Sequence, residues 1–514
     1  MKLRKIFRIL TSKFLLVCIL LLIELALVPC AIIFFSMALP DGGYAVYSAV
    51  LTVIDAIAAV YIINLDMNAE YKIAWIFPVL LLPPIGILLY IMLRRHKLPR
   101  RRRLILTASF RGAKCLYANS EKDDSDCKRI RNDDFAAQCA EYVTVHTGMP
   151  LSDCTDYQYF PTGEAYAAQL LEELKKAEKY IFLEYFVIEP GKFLNSVLEI
   201  LEDKAKNGVD VRLIYDDIGS MLKVPGNYAD ILEKRGIKCM CFNPFRPVLD
   251  IAQNNRTHRK IAVIDGKTAF TGGINLADEY INETHPFGHW KDTGILVRGR
   301  VVQNFSAMFL QLWSLRNENE DFTKYLTSEP EGDCPCIAFS DAPYGQNTNV
   351  CENLYLKIIY NAKKYVYINT PYLILDGEMQ RALVTAARSG VDVRITVPHI
   401  PDKKYVFAVT KAFYSQLVNE GIKIYRYTPG FIHAKSIVSD DQYCIIGSTN
   451  MDFRSFYLHF ECDLLFFDPR VCKTLYDDYI ATCLQSHQVD TNEIKDSLHS
   501  LIYRSILRIF APLM

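Results

Sequence analysis

The chain has 514 residues, 51% of them hydrophobic, so it is too long for one ordinary domain and can bury a large core. Its 58 basic and 58 acidic side chains cancel, which excludes a global field that would draw the protein to nucleic acid. The 15 cysteines include the pairs Cys239/Cys241 and Cys334/Cys336, but no second pair lies at zinc spacing, so reduced, mostly buried thiols are favoured over a metal or disulfide framework.

Three apolar runs predict a transmembrane helical region over residues 1–104. Each run is close to the roughly 20 residues that a helix needs to cross a bilayer. Asp55 makes the second run the weakest candidate, whereas the third is uncharged and carries Trp75 and Tyr90 near its ends, where amphipathic rings favour the lipid headgroups. The runs are Phe14–Leu39, Ala45–Ile63 and Ile73–Leu93.

Basic residues beside these runs bear on orientation. Seven follow the third run, and the positive-inside rule then places the long C-terminal part in the cytoplasm. Basic residues before the first run favour the same side, and three full crossings cannot satisfy both clusters. We therefore expect a multi-pass protein of the cell membrane with a cytoplasmic catalytic region, and leave the number of crossings open. The seven residues are Arg94, Arg95, Lys97, Arg100, Arg101, Arg102 and Arg103.

The rest of the chain contains an internal repeat. A connecting segment is predicted over 105–155, since 118–155 is polar and irregular. Beyond it, three segments recur at offsets of 185, 182 and 185 residues, which indicates two copies of one unit. The matched segments are Ala177–Glu184 with Ala362–Asn369, Gly208–Ile214 with Gly390–Thr396, and Gly236–Lys238 with Gly421–Lys423.

Apolar β-rich runs alternate with helical stretches such as Glu164–Lys179 and Gln380–Ser389, which is typical of an α/β fold. We predict two tandem α/β units, 156–325 and 340–484, packed pseudo-two-fold around a shared cleft. A basic amphipathic helix is predicted over 485–514, where it would lie on anionic lipid. An ordinary packing helix is the alternative there.

Each unit carries one His-x-Lys-x4-Asp motif followed by an asparagine. On a strand, the histidine and lysine of a motif share one face. The asparagine stands 17 residues after the histidine in both units, and such a coincidence inside a wider repeat is very unlikely to arise by chance. The residues are His258, Lys260, Asp265 and Asn275 in the first unit, and His433, Lys435, Asp440 and Asn450 in the second.

These residue types indicate chemistry at phosphorus. Histidine acts as nucleophile or proton shuttle near neutral pH, and two histidines from opposite halves can divide those tasks. Lysines and asparagines supply donors for the non-bridging oxygens of a phosphate, whose charge must be stabilised. The sequence shows no ligand set for a catalytic metal, so lysine charge would take that place.

At these motifs the chain resembles the phospholipase D superfamily, and within it the bacterial cardiolipin synthases over nearly its whole length. Further points of resemblance are the segments His285–Asp292 and Asn369–Tyr372. One departure is His459, since an asparagine is expected before Phe460 and Glu461.

The resemblance implies transfer of a phosphatidyl group between two phosphatidylglycerol molecules, giving cardiolipin and glycerol through a phosphatidyl-histidine without a metal cofactor. His258 and His433 would be nucleophile and general acid/base, with the nucleophile supplied by the N-terminal motif. Asp265 and Asp440 would support the fold around the site rather than touch substrate. The phosphate would be held by Lys260, Lys435, Asn275 and Asn450, and the histidines oriented by Asp292 and Glu461, each matched with the histidine of its own motif.

Two other functions remain open at this stage. The first is a phospholipase D-type phosphodiesterase, either a lipid hydrolase or a nuclease. A nuclease would need a basic channel, whereas the basic residues here cluster beside the apolar runs. The second is a non-catalytic membrane scaffold, against which both complete motifs speak. The expected partners are phosphatidylglycerol and anionic membrane lipids but not nucleic acid, and the oligomeric state is left open.

Overall fold

The computed structural model describes residues 43–82, 85–93, 98–119, 130, 132–245, 251–325, 329–344, 349–494, 505, 507–509 and 511–513. The chain divides into two compact units: an N-terminal unit that includes residues 43–98, and a larger unit that includes 99–243 and 255–512. The structure does not describe the predicted run Phe14–Leu39, residues 94–97 of the basic cluster, or most of residues 495–514 in the predicted C-terminal helix.

The part of the N-terminal unit that the structure describes contains three helices, α1 (Gly43–Ile63), α2 (Ala69–Leu81) and α3 (Ile85–Leu93). Among the described helices, only α1 is long and apolar enough, by length and composition, to cross a membrane. The sequence ranks this run as the weakest of the three because it contains Asp55, yet α1 has the length and composition of a span, whereas the two helices within the third run are too short.

The run Ile73–Leu93, predicted as a single spanning helix, does not form one helix. The run is divided between α2 and α3, of 13 and 9 residues, with Pro83 and Pro84 between them in sequence. Proline lacks the amide hydrogen that a continuous helix needs. Trp75 and Tyr90 would lie about 22 Å apart along one helix, but their ring centroids are 5.6 Å apart. The chain therefore folds back, and the two rings pack together rather than marking opposite ends of a span.

The connecting segment is more regular than the sequence suggests. It contains α5 (Asp134–Thr147) and most of α4 (Arg100–Asn119), which begins five residues before the predicted boundary at 105. The Asp133 carboxylate accepts hydrogen bonds from the backbone N–H groups of Phe135 and Ala136, and Gly148, with φ of 80°, ends the helix. An acidic N-cap and a C-terminal glycine are ordinary helix signals that the polar composition obscured.

The first repeat forms a seven-stranded sheet in the order β1-β8-β6-β5-β2-β3-β4. Strands β2, β3 and β4 run parallel, and the remaining neighbours are antiparallel. The strands are β1 (Thr155–Phe160), β2 (Tyr180–Tyr185), β3 (Asp210–Asp216), β4 (Lys238–Phe242), β5 (Lys260–Ile264), β6 (Thr268–Gly272) and β8 (Gly294–Gly299).

The second repeat forms an eight-stranded sheet in the order β17-β12-β11-β10-β14-β15-β16-β9. Its order matches the first sheet strand for strand, with β17 added at one edge. Because β17 is Ser486–Gln488, this part of the C-terminal helix predicted over 485–514 is a strand instead. The others are β9 (Cys336–Asp341), β10 (Tyr365–Asn369), β11 (Asp392–Pro398), β12 (Lys423–Tyr427), β14 (Ser436–Ser439), β15 (Tyr443–Gly447) and β16 (Glu461–Phe466).

Helices accompany both sheets, as the alternating pattern predicts. The helices predicted at Glu164–Lys179 and Gln380–Ser389 are confirmed, with bounds that shift by a few residues. The first unit has α6 (Gly163–Lys175), α7 (Lys192–Lys206), α8 (Asp217–Ser220), α9 (Tyr228–Glu233) and α10 (Val302–Trp313), and the second has α11 (Val350–Asn361), α12 (Gly377–Arg388), α13 (Lys404–Asn419), α14 (Phe453–Tyr457) and α15 (Pro469–Leu484).

The cysteines of both Cys-x-Cys pairs are free thiols. Cys239, Cys334 and Cys336 are buried and Cys241 is partly buried. The expectation of reduced, mostly buried thiols holds for these four residues.

Two short backbone pairings join the repeats. Strand β7 (His289–Lys291) of the first repeat runs parallel to β13 (Gly430–Ile432) of the second. On the other side, Thr257 pairs with Phe460. Each pairing lies directly before a motif histidine, so the fold brings the start of each motif against the opposite repeat.

Candidate active site

Both motif histidines are held by the opposite repeat. His258 precedes β5, and its backbone N–H donates to the carbonyl oxygen of Phe460 at 2.9 Å. His433 precedes β14, and its N–H donates to the carbonyl oxygen of Lys291 at 2.7 Å. Both side chains are buried. The shared cleft is therefore built from reciprocal contacts of the two repeats.

The acids that orient the histidines cross between the repeats. His258 Nδ1 lies 2.9 and 3.0 Å from the two carboxylate oxygens of Glu461. His433 Nδ1 lies 2.7 Å from Asp292 Oδ2. Matching each acid with the histidine of its own motif is therefore wrong. The physical reason is the backbone pairing, which places residue 460 beside 257 and residue 291 beside 432.

Burial and charge fix the protonation of these pairs. Burial lowers the pKa of His258 well below its ordinary value and that of His433 to about 4, the latter with help from the Lys435 charge. Burial alone would raise the pKa of the two acids, but their histidines hold the pKa of Glu461 and of Asp292 below the usual range. Each pair is thus a neutral imidazole donating from Nδ1 to a carboxylate, which leaves the Nε2 lone pair available.

The two acids have different supports, which sequence reasoning missed. The Ser448 hydroxyl donates to Glu461 Oε2, whereas Asp292 Oδ1 accepts the N–H of Thr293 at 2.9 Å. Gly273 stands where the second repeat has Ser448, and a Cβ there would lie 2.0 Å from Asp292 Oδ1. The difference between Gly272-Gly273 and Gly447-Ser448 was a visible signal that the repeats are not equivalent.

The motif lysines lie with their histidines, as strand spacing predicts. Both are buried, and each Nζ donates to the carbonyl oxygen of the histidine two residues before it. Burial lowers the pKa of Lys260 to about 8 and that of Lys435 to about 7. An anionic phosphate would favour the charged form of both lysines, so they fit an anion-binding role.

The two motif asparagines differ. Asn275 Oδ1 accepts the N–H of Val187 at 3.0 Å, and its Nδ2 donates to the Tyr280 hydroxyl at 2.7 Å. Asn450 Oδ1 is buried and has no hydrogen-bond partner among the described residues. Asn275 thus also anchors Tyr280, whose ring lies 5.3 Å from that of His433. Phosphate binding by either asparagine stays a prediction.

The motif aspartates contact backbone. Asp265 accepts the N–H groups of residues 178, 179 and 180 at 2.7–2.8 Å. Asp440 accepts those of residues 363, 364 and 365 at 2.6–2.9 Å. Both have a left-handed backbone, with φ of 53° and 54°. Each carboxylate therefore fixes the turn after its motif strand to the start of the neighbouring antiparallel strand.

Replacing Asp265 or Asp440 with asparagine should lower stability more than chemistry. Asparagine tolerates the left-handed backbone but loses the charge that strengthens three hydrogen bonds, so the free energy of unfolding should fall by about 1–3 kcal/mol. Thermal unfolding in detergent measures this change. The turnover of the protein that remains folded should stay within a few-fold of wild type, and a loss as large as that of a histidine variant would contradict the structural role.

One cluster has the residue types and spacing of a metal site. His258, His459 and Glu461 each offer one ligand atom, and these atoms all lie within 4.8 Å of one another. No other such cluster occurs among the residues that the structure describes.

Two family models match the chain, and one of them matches a segment in each repeat. A family model described as "Cardiolipin synthase, PLD-like domain" matches residues 170–313 and 355–481. A second, "Phospholipase_D-nuclease N-terminal", matches residues 53–95.

Curated relatives match most of the chain. A cardiolipin synthase from Alkalihalophilus pseudofirmus is 36% identical over 71% of this chain and 73% of its own length. One from Clostridium perfringens is 32% identical over 87% of this chain and 95% of its own. The crystal structure of Haemophilus influenzae phosphatidylserine synthase shares the fold, with a TM-score of 0.56 and 14% identity over 73% of this chain and 97% of that one.

Proposed function

The chain belongs to the family of phospholipase D-like cardiolipin synthases, and we propose that it transfers a phosphatidyl group from one phosphatidylglycerol to another. The products are cardiolipin and glycerol. The observation that carries this proposal is the crossed pair of buried histidine–carboxylate dyads, His258 with Glu461 and His433 with Asp292. Since each dyad takes its members from both repeats, the arrangement favours one site acting on one phosphorus.

In the first step, His258 Nε2 attacks the phosphorus, and the bond from phosphorus to the headgroup glycerol oxygen breaks. His433 gives its Nε2 proton to that oxygen, so glycerol leaves and a phosphatidyl-histidine remains. His433 takes up this proton as the lipid binds, because the phosphate charge opposes the burial that lowers its pKa. Lys260 and Lys435 stabilise the charge on the non-bridging oxygens.

In the second step, the reaction runs in reverse with a new partner. A glycerol hydroxyl of the second phosphatidylglycerol gives its proton to His433, and its oxygen attacks the phosphorus. The bond from His258 to phosphorus breaks, which releases cardiolipin and restores the neutral imidazole. Aromatic rings flank both histidines, Phe186 at 5.1 Å from His258 and Trp290 at 5.3 Å from His433. Such surroundings favour a lipid alcohol over water as acceptor.

The assignment of His258 as nucleophile predicts which variant retains a covalent adduct. Labelled phosphatidylglycerol should mark His433→Gln, slowly and without an assisted leaving group, and should leave His258→Gln unmarked. Acid-free quenching followed by peptide mapping locates the label. The opposite pattern would exchange the two roles and leave the reaction unchanged.

The lysine pKa values predict the alkaline limb of the pH profile. Below about pH 7 both lysines are charged, and the nucleophile His258 stays neutral because burial lowers its pKa well below its ordinary value, so kcat/KM should be highest below about pH 7. It should fall as the pH rises through 7 to 8, because the neutral lysines bind phosphate weakly. Lys435→Arg, whose charge does not titrate in this range, should flatten that limb at a lower rate. A kcat/KM that rises through pH 8 would contradict this account.

The test of the function uses the purified full chain and phosphatidylglycerol alone in mixed micelles. Cardiolipin and free glycerol should appear in equal amounts, with His258→Gln as the inactive control. Accumulation of phosphatidic acid in place of cardiolipin would support the alternative, a phospholipase D-type hydrolase.

We further propose the placement of the chain in the cell. Helix α1 would anchor it in the cell membrane, with further crossings among 1–104, and the positive-inside rule would keep the larger unit cytoplasmic. The proposed domains are 1–104, the connecting segment 105–155, and the two catalytic units 156–325 and 340–484.

A further inference from the structure

A third imidazole stands beside the nucleophile and has no assigned task. The His459 side chain is 9% exposed, and its ring centroid lies 5.4 Å from that of His258. Its Nδ1 faces Glu461 Oε1 at 3.6 Å, which is too long for a hydrogen bond. Among the described residues this nitrogen is buried without a hydrogen-bond partner.

The two repeats differ at this position. Only the half of the site around His258 carries a third imidazole, that of His459. His459 precedes the orienting acid Glu461 by two positions, and Trp290 precedes Asp292 by two. Trp290 packs beside His433, with ring centroids 5.3 Å apart, much as His459 packs beside His258. Because an indole does not ligate metals, the first dyad has a potential third ligand that the second lacks.

The ligand atoms are spaced for a small tetrahedral ion. Zinc bonds of about 2.0–2.2 Å place neighbouring ligands roughly 3.4 Å apart. Here His258 Nδ1 lies 2.9 Å and His459 Nδ1 lies 3.6 Å from Glu461 Oε1, and the three residues each offer a ligand atom within 4.8 Å of the other two. Two imidazoles and one carboxylate form a set that favours zinc or cobalt over magnesium or calcium.

We propose that His258, His459 and Glu461 bind a divalent transition-metal ion such as Zn²⁺, and that this ion inhibits the enzyme. The inhibition rests on the proposed role of His258 as nucleophile. When Nδ1 of His258 binds the metal, its proton moves to Nε2, and no lone pair remains there to attack phosphorus. The metal thus holds the nucleophile in its inactive tautomer, and removal of the metal returns the proton to Nδ1.

Metal binding is tested directly with Co²⁺, whose visible spectrum reports its ligands. The full chain in detergent should bind one Co²⁺ with the bands of a four-coordinate nitrogen and oxygen site and without a thiolate charge-transfer band. His459→Asn and His459→Gln should lose this spectrum. His487→Asn should keep it, although His487 also lies beside a carboxylate, Glu493. An unchanged spectrum in both His459 variants, a thiolate band in place of the expected bands, or no binding would overturn the proposal.

Inhibition is tested by titrating Zn²⁺ into the phosphatidylglycerol assay. The Zn²⁺ concentration for half inhibition, relative to each variant's own metal-free rate, should rise at least about tenfold in His459→Asn and stay unchanged in His487→Asn. EDTA should restore the rate of the wild type. Equal sensitivity of wild type and His459→Asn would overturn the inhibition. If the metal-free wild type forms no cardiolipin, the proposed function fails, while the Co²⁺ spectra still decide whether the site exists.

Discussion

Replacing either His258 or His433 with glutamine should reduce cardiolipin formation at least about a thousandfold. In the proposed mechanism, each histidine serves the same phosphorus from an opposite side, one as nucleophile and one as proton carrier. Residues that act as a unit have non-additive effects, so the double variant should be hardly worse than either single variant. The rates come from product formation by purified variants at saturating lipid.

The control for this experiment is His399→Gln, an exposed histidine of the second repeat, which should keep the wild-type rate. Two independent sites, one in each repeat, would leave each single histidine variant with about half the activity. That result would contradict a single site shared by the two repeats.

Replacing the orienting acids should give the second-largest loss, and its pattern should be crossed. Glu461→Gln and Asp292→Asn each replace a carboxylate that accepts from Nδ1 with an amide that also donates, which allows the wrong tautomer. We expect turnover to fall roughly 10²–10⁴-fold in each, by analogy with the carboxylate of a Ser-His-Asp triad. Steady-state assays of both variants measure the loss.

Adduct trapping distinguishes the crossed arrangement from one in which each acid orients the histidine of its own repeat. Glu461→Gln should behave like a weakened His258 and form little phosphatidyl adduct. Asp292→Asn should behave like a weakened His433, so that the adduct forms slowly and persists. The reverse assignment would mean that the dyads in solution are not those of the structure. Both substitutions replace a carboxylate with an amide of nearly the same size. A difference between the two variants in adduct formation therefore identifies the histidine that each acid contacts.

The sequence predicted the repeated α/β units because their evidence is local. Strands such as β2 and β10 carry matched apolar runs at a nearly constant offset, and the motif spacing alone places His258 beside Lys260. The crossing of the acids could not be predicted in the same way. It depends on a backbone pairing between residues 257 and 460, about two hundred positions apart. No local pattern reports that contact.

The N-terminal errors have a different origin. Hydropathy counts apolar residues without regard to backbone continuity, so Ile73–Leu93 passed as one span although Pro83 and Pro84 divide it. The same measure penalised Asp55, whereas α1 is continuous over its 21 residues despite that charge. In both cases the geometry of the backbone, rather than composition, decided the helix.

The count of covalent adducts per chain tests most directly whether the two repeats form one site. Mass measurement of intact chains, quenched during turnover of phosphatidylglycerol, gives this count without reference to rates. A single site with one nucleophile predicts at most one phosphatidyl group per chain, attached at His258. Chains that carry two phosphatidyl groups, one on each motif histidine, would contradict it.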